Sequence, residues 1–167
     1  AELNITVYHV NHPPVATQQN LSFTMEADQN FTLPVSVYAL FADPDGDALS
    51  ISAAGNRDLS VFIDANGLVT LPPPLYWSGV ESFLLVATDP SGRNASVLVT
   101  INVTAVNHRP VVVWTPGNIT FSEHDSASVD LARIFWDPDN NTLAYSALDN
   151  MMLGVTISNG TAEVRPL

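Results

Sequence analysis

The sequence predicts an all-β protein made of tandem antiparallel β-sandwiches, and three observations lead to this fold class. Apolar residues recur with a period of two, turn-forming residues return about every ten positions, and the whole pattern repeats along the chain. A period of two places alternate side chains on opposite faces of a strand. About six or seven short strands in each repeat are typical of immunoglobulin-like architecture.

The alternation predicts half-buried strands, because every second residue is aliphatic or aromatic and its neighbours are mostly polar. Val, Thr, Ile, Phe and Tyr dominate these runs, as they do in strands generally. No stretch shows the spacing of an amphipathic helix with caps. The three clearest runs are residues 3–8, 31–37 and 97–103.

The turn signals separate these strands. Asn66-Gly67 and Asn159-Gly160 predict tight hairpin turns, because both central residues can adopt positive φ. Pro72–Pro74 cannot lie in a central strand and predicts an extended crossing. Asp89–Gly92 predicts a further turn.

An internal repeat defines the domain organisation. Its period of roughly 95 residues indicates copied whole domains, since solenoid units are shorter. We assign residues 1–11 to the last strand of a preceding repeat or to a donated strand, residues 12–107 to a complete repeat, and residues 108–167 to a partial second repeat. The repeat is seen in three pairs of similar segments: Val10–Val15 with Val106–Val111, Leu40–Leu49 with Ile134–Leu143, and Asp64–Gly67 with Ile157–Gly160.

The composition excludes several classes of function. The chain carries 17 acidic residues against five basic ones, for a net charge of −12. Such a chain repels nucleic acid and anionic lipid but attracts divalent cations, although the acidity could equally serve solubility alone. The chain has no cysteine, which excludes a disulfide scaffold, a thiolate metal site and a cysteine nucleophile. No apolar run is long enough for a membrane span.

Acceptor triplets for N-linked sugars are enriched. Asn-X-Ser/Thr occurs eight times, whereas chance predicts roughly two such triplets. Several of the asparagines alternate with apolar residues, so attached sugars would point outward; the alternative is an outer sheet face decorated by Asn and Thr. We expect covalent N-glycans and a location outside the cell or at its surface, in an archaeon or a eukaryote. The eight sites are Asn4, Asn20, Asn30, Asn94, Asn102, Asn118, Asn140 and Asn159.

Carboxylates cluster within the repeated segment Leu40–Leu49. Asp43, Asp45 and Asp47 fall within five residues around a glycine that permits a sharp turn. Alternate acidic residues on a turn can direct oxygens to one point, and Ca²⁺ takes about six to eight oxygen ligands. Asp89 comes from a later loop at what we expect to be the same end of the sandwich. The alternative is an Asp-rich turn capped by its own backbone.

The second repeat holds a weaker version of this cluster, with one carboxylate fewer. Its members are Asp137, Asp139 and Asn141. Glu26 and Glu123 lie early in the two repeats, near a strand start.

These segments resemble tandem cadherin-like repeats of dystroglycan-type and bacterial or archaeal surface proteins. The resemblance rests on Phe41–Asp47, Val86–Gly92 and Val99–Pro110, with Trp77–Phe83 between them, and it covers nearly the whole chain. It implies a sandwich fold and calcium at the junctions between repeats.

The resemblance also implies a ligand set. The family's Asp-X-Asp motif matches Asp43 with Asp45, and again Asp137 with Asp139. Its later aspartate matches Asp89, and its linker asparagine matches Asn11 and Asn107. Its early glutamate matches Glu26, whose site would be shared with Asn107, Asp137 and Asp139. The family's two linker aspartates are replaced here by Ala105 and His108. The resemblance therefore implies a carboxylate-poor junction site.

No constellation predicts an enzyme. Two of the four histidines are copies of one repeated linker residue, and no zinc-binding spacing, nucleophile elbow or phosphate loop occurs. We therefore expect no catalytic residues. Tyr76 and Trp77 could stack on a sugar, but core or junction packing is the commoner role of such a pair.

The sequence leaves two functions open. The first is a structural segment of a fibre, stalk or surface layer, sheathed in glycans and stiffened by calcium, with neighbouring repeats or copies of itself as partners. The second is an adhesin or receptor module that binds a protein or glycan, for which exposure of Tyr76 and Trp77 would argue. A separate possibility concerns assembly: residues 1–11 could be donated as a strand to the sheet of another chain.

Overall fold

The computed structural model describes residues 2–148 and 152–167, and its chain forms two compact units, Ala1–Val106 and Asn107–Leu167. The fold is all-β, as predicted: the helical segments of the described residues are two short 3₁₀ turns. Neither turn has the length or the apolarity needed to span a bilayer.

Unit 1 contains nine strands. The short strands alternate with loops in the first two thirds of the unit, and the two longest strands follow at its end. The strands are β1 Val15–Ala16, β2 Asn20–Glu26, β3 Phe31–Thr32, β4 Phe41–Ala42, β5 Ser50–Ala54, β6 Phe62–Ile63, β7 Val69–Leu71, β8 Gly79–Thr88 and β9 Asn94–Thr104.

These strands form a four-stranded sheet in the order β2-β9-β8-β5, a three-stranded sheet β3-β7-β6 and the pair β1-β4. All of these pairings are antiparallel except that of β2 with β9, which is parallel. The longest ladder joins β8 to β9 from Gly79↔Val103 to Thr88↔Asn94.

The core lies between these sheets and follows the period of two. In β9, Val97, Val99 and Ile101 are fully buried, whereas the residues between them face solvent. Phe83 and Leu85 of β8 face the same core. Burying a side chain of this size contributes about 1.5–3 kcal/mol, so this alternation fixes the register of both strands.

The described residues of unit 2 form five strands: β10 Val111–Val112, β11 Ala127–Asp130, β12 Phe135–Trp136, β13 Leu153–Ser158 and β14 Thr161–Pro166. β10 pairs with β12, and β14 lies between β11 and β13 in an antiparallel sheet. The two-residue turn Asn159-Gly160 joins β13 to β14 with φ of 50° and 75°, as the sequence predicts.

The prediction for Asn66-Gly67 is wrong in detail. Gly67 has positive φ and Asn66 does not, because Asp64 organises a longer turn. Its Oδ1 accepts hydrogen bonds from the N–H groups of Asn66 at 2.9 Å and Leu68 at 2.8 Å. The turn between β6 and β7 therefore spans more residues than a two-residue hairpin.

Two predicted strands also differ from the structure. In the run 31–37 the alternation of burial holds, with Leu33 and Val37 buried, but the strand ends at Thr32. Pro34 cannot donate to a ladder, and Ser36 caps a 3₁₀ turn instead. The run 3–8 has no strand at all, and its assignment to a preceding repeat or to strand donation stays a prediction.

Candidate functional site

The acidic loop of unit 1 directly follows β4. Asp43 organises it, because its Oδ1 accepts the backbone N–H groups of Asp45 at 2.8 Å and Asp47 at 3.3 Å. Gly46 has a φ of 77°, which lets the chain turn back sharply. The other oxygen of Asp43, Oδ2, is buried and has no hydrogen-bond partner.

This loop brings together the three carboxylates that the sequence singles out. One oxygen from each of Asp43, Asp45 and Asp47 lies within 4.8 Å of the other two. Oxygen ligands at this spacing suit a cation such as Ca²⁺, whose ligands stand at about 2.3–2.6 Å. A buried carboxylate oxygen without a donor is costly unless a cation completes it, so Asp43 Oδ2 fits that role.

The chain segment that precedes β1 is fastened to the same loop. The backbone N–H of His12 donates to Asp45 Oδ2 at 2.6 Å, and the His12 ring nitrogen Nδ1 lies 3.1 Å from Asp45 Oδ1. The ring of His9 approaches the same oxygen, with its Nε2 at 2.9 Å. We call the contacts that fasten a repeat's linker to its acidic loop, and in unit 1 also to the turn between β8 and β9, the linker clamp.

The clamp changes the acidity of Asp45. The hydrogen bond from the His12 backbone, together with the two histidine rings, lowers the pKa of Asp45 from 3.8 to about 2. Hydrogen bonds to the ionised form favour that form, and here they outweigh the opposing effect of desolvation. The carboxylate is therefore ionised throughout the physiological pH range.

A second contact of the clamp involves Asp89, in the turn between β8 and β9. This side chain is buried, with 4% of its surface exposed. Its Oδ1 accepts from the N–H groups of Ser91 and Arg93, and its Oδ2 accepts from Asn11 Nδ2 at 2.8 Å. Arg93 Nη1 in turn donates to the carbonyl oxygen of Asn11 at 2.6 Å.

Two opposing effects act on the acidity of Asp89. Burial raises its pKa, but the hydrogen bonds from Ser91, Asn11 and Arg93 together lower it below 3.8. Asn11 and Asp89, which the cadherin-like resemblance matches to the family's ligand set, thus contact each other directly.

Unit 2 repeats the clamp with its own residues. The backbone N–H of His108 donates to Asp139 Oδ2 at 2.5 Å, and its ring Nδ1 lies 3.0 Å from Asp139 Oδ1. The His108 backbone bond is the main cause of the lowered pKa of Asp139. Asn141 Nδ2 donates to Asn107 Oδ1 at 3.2 Å.

The buried Asp137 organises the second acidic loop as Asp43 organises the first. Its Oδ1 accepts the backbone N–H groups of Asp139 at 3.0 Å and Asn141 at 3.2 Å. Asn107, Asp137, Asp139 and Asn141 thus lie together around this loop, and their role as metal ligands stays a prediction.

Glu26 stands apart from the acidic loop of its own unit. It ends β2 and pairs with Thr104, whereas Asp89 lies beyond the opposite end of β8 and β9. Its predicted site with Asn107, Asp137 and Asp139 stays a prediction.

Sequence reasoning treated the histidines as mere repetition and missed their contacts with Asp45 and Asp139. The repeated Asn-His dipeptide was the available signal. His9 has Ala105 at its equivalent position, so the second clamp has one ring fewer.

The asparagines divide into two groups. All eight in Asn-X-Ser/Thr triplets are exposed, and none makes a side-chain hydrogen bond within the described residues. Each of the other asparagines that the structure describes does make one: Asn11, Asn56, Asn66, Asn107 and Asn141. Whether sugars are attached is a prediction, but among the described residues the triplet asparagines have no hydrogen-bond partner that a sugar would displace.

Tyr76 and Trp77 are neighbours in sequence but differ in their exposure to solvent. Trp77 is partly buried and packs against the core of unit 1, which is the role that the sequence favours. Tyr76 lies at the surface with 36% exposure and a φ of 64°. The two rings therefore do not share one exposed face.

Residues 11–102 match the family model of bacterial Ig domains. Among solved structures, the endo-fucoidan hydrolase MfFcnA4 from glycoside hydrolase family 107 is 16% identical with a TM-score of 0.50, over 95% of this chain and 26% of that one. The human desmocollin-1 ectodomain is 17% identical with a TM-score of 0.43, over 96% and 32%. Protocadherin gamma C5 is 16% identical with a TM-score of 0.42, over 93% and 58%.

The first solved structures that the chain matches are much longer, and the chain spans about a quarter of their length. The likeness to MfFcnA4 shows the fold alone. A comparison with curated protein sequences gives no significant match. The family is described as bacterial, so the match does not support the expected archaeal or eukaryotic source. It also does not support the specific dystroglycan-type resemblance.

Proposed function

Because the chain belongs to the bacterial Ig domain family, we propose that it is a structural spacer segment of an extracellular surface protein. The observation that carries this proposal is the linker clamp, which recurs in both units. A repeat that fixes the chain leading into it limits the freedom of its linker, which is what a fibre, stalk or surface layer requires. The proposal assigns no reaction to the chain.

The clamp supports a spacer because it uses backbone as well as side-chain groups of the linker. In unit 1 the N–H of His12 and the carbonyl of Asn11 are both engaged, by Asp45 and Arg93. Charge-assisted hydrogen bonds of this kind are stronger than neutral ones. In unit 2 the N–H of His108 is held by Asp139 in the same manner.

We further propose that unit 1 binds Ca²⁺ at its acidic loop. Asp43, Asp45 and Asp47 would hold the ion, with Asp43 Oδ2 as the oxygen that lacks another partner. A bound cation would neutralise part of the repulsion among these carboxylates and rigidify the loop to which the linker is fastened. Unit 2 has Asn141 in place of the third carboxylate, so its loop should bind Ca²⁺ more weakly.

N-glycans on the exposed triplets complete the proposal. The partition of the asparagines supports it, because every triplet side chain is exposed and lacks a hydrogen bond within the described residues. Sugars on an acidic, lysine-free surface would add bulk and solubility to a segment that spans distance.

Antibody labelling of intact cells tests the surface location. An antibody raised against residues 12–107 should label cells of the producing organism without permeabilisation. Labelling that requires permeabilised cells would contradict the proposal. An antibody against a cytoplasmic protein of the same cells serves as the control for membrane integrity.

A further inference from the structure

We propose that the outer face of the four-stranded sheet of unit 1 is a glycan-bearing face, with Asn20, Asn94 and Asn102 as its N-linked acceptor sites. This inference rests on the proposed function, because it presumes an exported, N-glycosylated protein. It goes further by stating which of the eight triplets are modified together and which surface they cover.

The composition of this face sets it apart from the rest of an acidic chain. The side chains on the outer side of β2, β5, β8 and β9 are Ser, Thr, Asn, Ala, Val and Leu, and Glu26 at the end of β2 is the one charged residue among them. The net charge of −12 is therefore carried almost entirely elsewhere. A face with a single charged side chain gains its solubility from other polar groups, and attached sugars supply them.

Apolar side chains lie at the centre of the face. Leu84 and Leu98 are directly opposite each other across β8 and β9, with exposures of 38% and 39%. Val80, nearer one end, is 67% exposed. Adjacent to this pair, Ser82 and Thr100 bond to each other through their hydroxyl groups at 2.9 Å. Sugars on the surrounding asparagines would shield these leucines from water and from other proteins.

The asparagines of this sheet are out of place on structural grounds. Asn is depleted in strands, because its side chain competes for backbone hydrogen bonds. Three strand positions of the described chain nevertheless hold Asn, and all three begin an Asn-X-Ser/Thr triplet. All three are exposed, and none makes a side-chain hydrogen bond to a residue that the structure describes. Structure gives no reason for Asn here, whereas acceptor chemistry does.

The strand also arranges each triplet. Because side chains alternate, the asparagine and the hydroxyl residue two positions later point to the same face. Asn20 is thus followed on its face by Ser22, and Asn94 by Ser96, and all four side chains are exposed.

Two of the other triplets have a structural explanation instead. Asn140 and Asn159 have φ of 59° and 50°, a conformation that Asn tolerates better than most residues. Asn159 forms the tight turn between β13 and β14. Turn geometry alone accounts for Asn at both positions, so the strand triplets are the more diagnostic ones.

The three sites are spaced to cover the face. Asn20 pairs with Leu98, which lies four residues from Asn94 on one side and four from Asn102 on the other. At about 3.3 Å per residue, each of these steps is about 13 Å along the sheet. Glycans of a few sugars at these spacings would overlap across Leu84 and Leu98.

The modification itself needs an external transferase and a glycosyl diphosphate donor. The Nδ2 of the asparagine forms a bond to the anomeric carbon of the donor sugar, and the bond from that carbon to the phosphate oxygen breaks. The diphosphate leaves with the electron pair, and the amide gives up one proton. No oxidant or reductant takes part.

Site-resolved glycopeptide mass spectrometry of the native protein tests the inference. We expect added sugar mass at Asn20, Asn94 and Asn102. Sugars found at other triplets with these three sites bare would overturn this inference and leave the glycosylated spacer standing. No sugar at any triplet would overturn both. A native dimer with all three sites bare would assign the face to a second copy of the chain.

Variants of one triplet provide a second test that does not disturb the fold. Ser22→Ala removes the hydroxyl of the Asn20 triplet, and Ser22→Thr keeps it. In a host that transfers N-glycans, the first variant should lose the sugar at Asn20 only, and the second should keep it. Equal sugar at Asn20 in both variants, or none in the parent chain, would contradict the assignment.

Discussion

The backbone N–H of His12 and the carboxylate of Asp45 form a 2.6 Å hydrogen bond, and His108 and Asp139 form its counterpart at 2.5 Å in the second unit. The sequence repeat thus extends to a repeated contact between a linker backbone group and an aspartate. Because the donor is a backbone group, the contact depends on the course of the chain as well as on the identity of the histidine.

This contact predicts an acid-sensitive linker. The folded pKa of Asp45 is about 2, below its ordinary value of 3.8, so its contribution to stability is complete above pH 4 and is lost as the pH falls towards 2. Melting temperatures of the parent chain and of Asp45→Asn, measured from pH 7 to pH 2, should differ most above pH 4 and converge near pH 2. A constant difference across this range would show that the Asp45 charge plays no part.

Glu81 is another buried carboxylate, and it stabilises a loop. It is 7% exposed and accepts the backbone N–H groups of Arg57, Asp58 at 3.0 Å and Leu59 at 2.7 Å. Glu81→Gln replaces one acceptor oxygen with a donor, and we expect it to lower the free energy of unfolding by about 1–3 kcal/mol.

Urea denaturation of the parent chain and the variant measures this difference. The matched control is Glu26→Gln, which changes an exposed glutamate at the end of β2. Surface substitutions of this kind usually change stability by less than about 0.5 kcal/mol. Equal effects of the two variants would contradict the assigned role of Glu81.

Gly67 should tolerate no side chain. Its φ is 74°, and a Cβ there would stand 2.6 Å from Ser36 Oγ and from Tyr38 Cδ2. Gly92 has a similar φ of 87° but open space around it. Gly92→Ala should therefore show only the backbone cost, about 1–2 kcal/mol, and Gly67→Ala about 1–3 kcal/mol more.

Thermal unfolding of the two variants separates these costs, because both substitutions share the left-handed backbone conformation. They differ in the steric clash of the new Cβ with Ser36 and Tyr38, which Gly67→Ala introduces and Gly92→Ala does not. Equal destabilisation by Gly92→Ala and Gly67→Ala would contradict the close packing of Tyr38 against the β6–β7 turn.

Calcium should stabilise unit 1 more than unit 2. Binding to the native state adds RT ln(1 + [L]/Kd), about 1.4 kcal/mol at ten times Kd, so a melting temperature that rises with Ca²⁺ is expected. Asp43→Asn removes the carboxylate whose Oδ2 lacks a partner and should abolish the rise. Calorimetry with Ca²⁺, and with Mg²⁺ as the comparison ion, measures the binding directly.

The matched control for this experiment is Asp137→Asn, the equivalent change in unit 2. It should leave most of the calcium response intact. If the parent chain, first treated with a chelator, shows no response to millimolar Ca²⁺, the calcium proposal is wrong.

Local chemistry explains which parts of the structure the sequence could predict. Asn159-Gly160 forms the predicted turn, because both residues adopt positive φ. Asn66-Gly67 does not, since the carboxylate of Asp64 binds two backbone N–H groups of the turn. The side chain of Asp64, two positions before Asn66-Gly67, therefore produces a longer turn than the one predicted.

The candidate site shows the same division. Asp43, Asp45 and Asp47 meet because they are close in sequence and share one turn. The contact of Asn11 with Asp89 joins residues 78 positions apart, and it was expected only through a resemblance. The ring contacts of His9 and His12 depend on the path of the linker, which no local pattern reports.

Hydrogen–deuterium exchange at the His12 and His108 amides tests the central claim, the linker clamp, most directly. Both amides should be protected at neutral pH, and Asp45→Asn should speed exchange at His12 by roughly tenfold while leaving His108 unchanged. Asp139→Asn should give the reverse pattern. Exchange of both amides in the parent chain at the rate of an unstructured peptide would contradict the account.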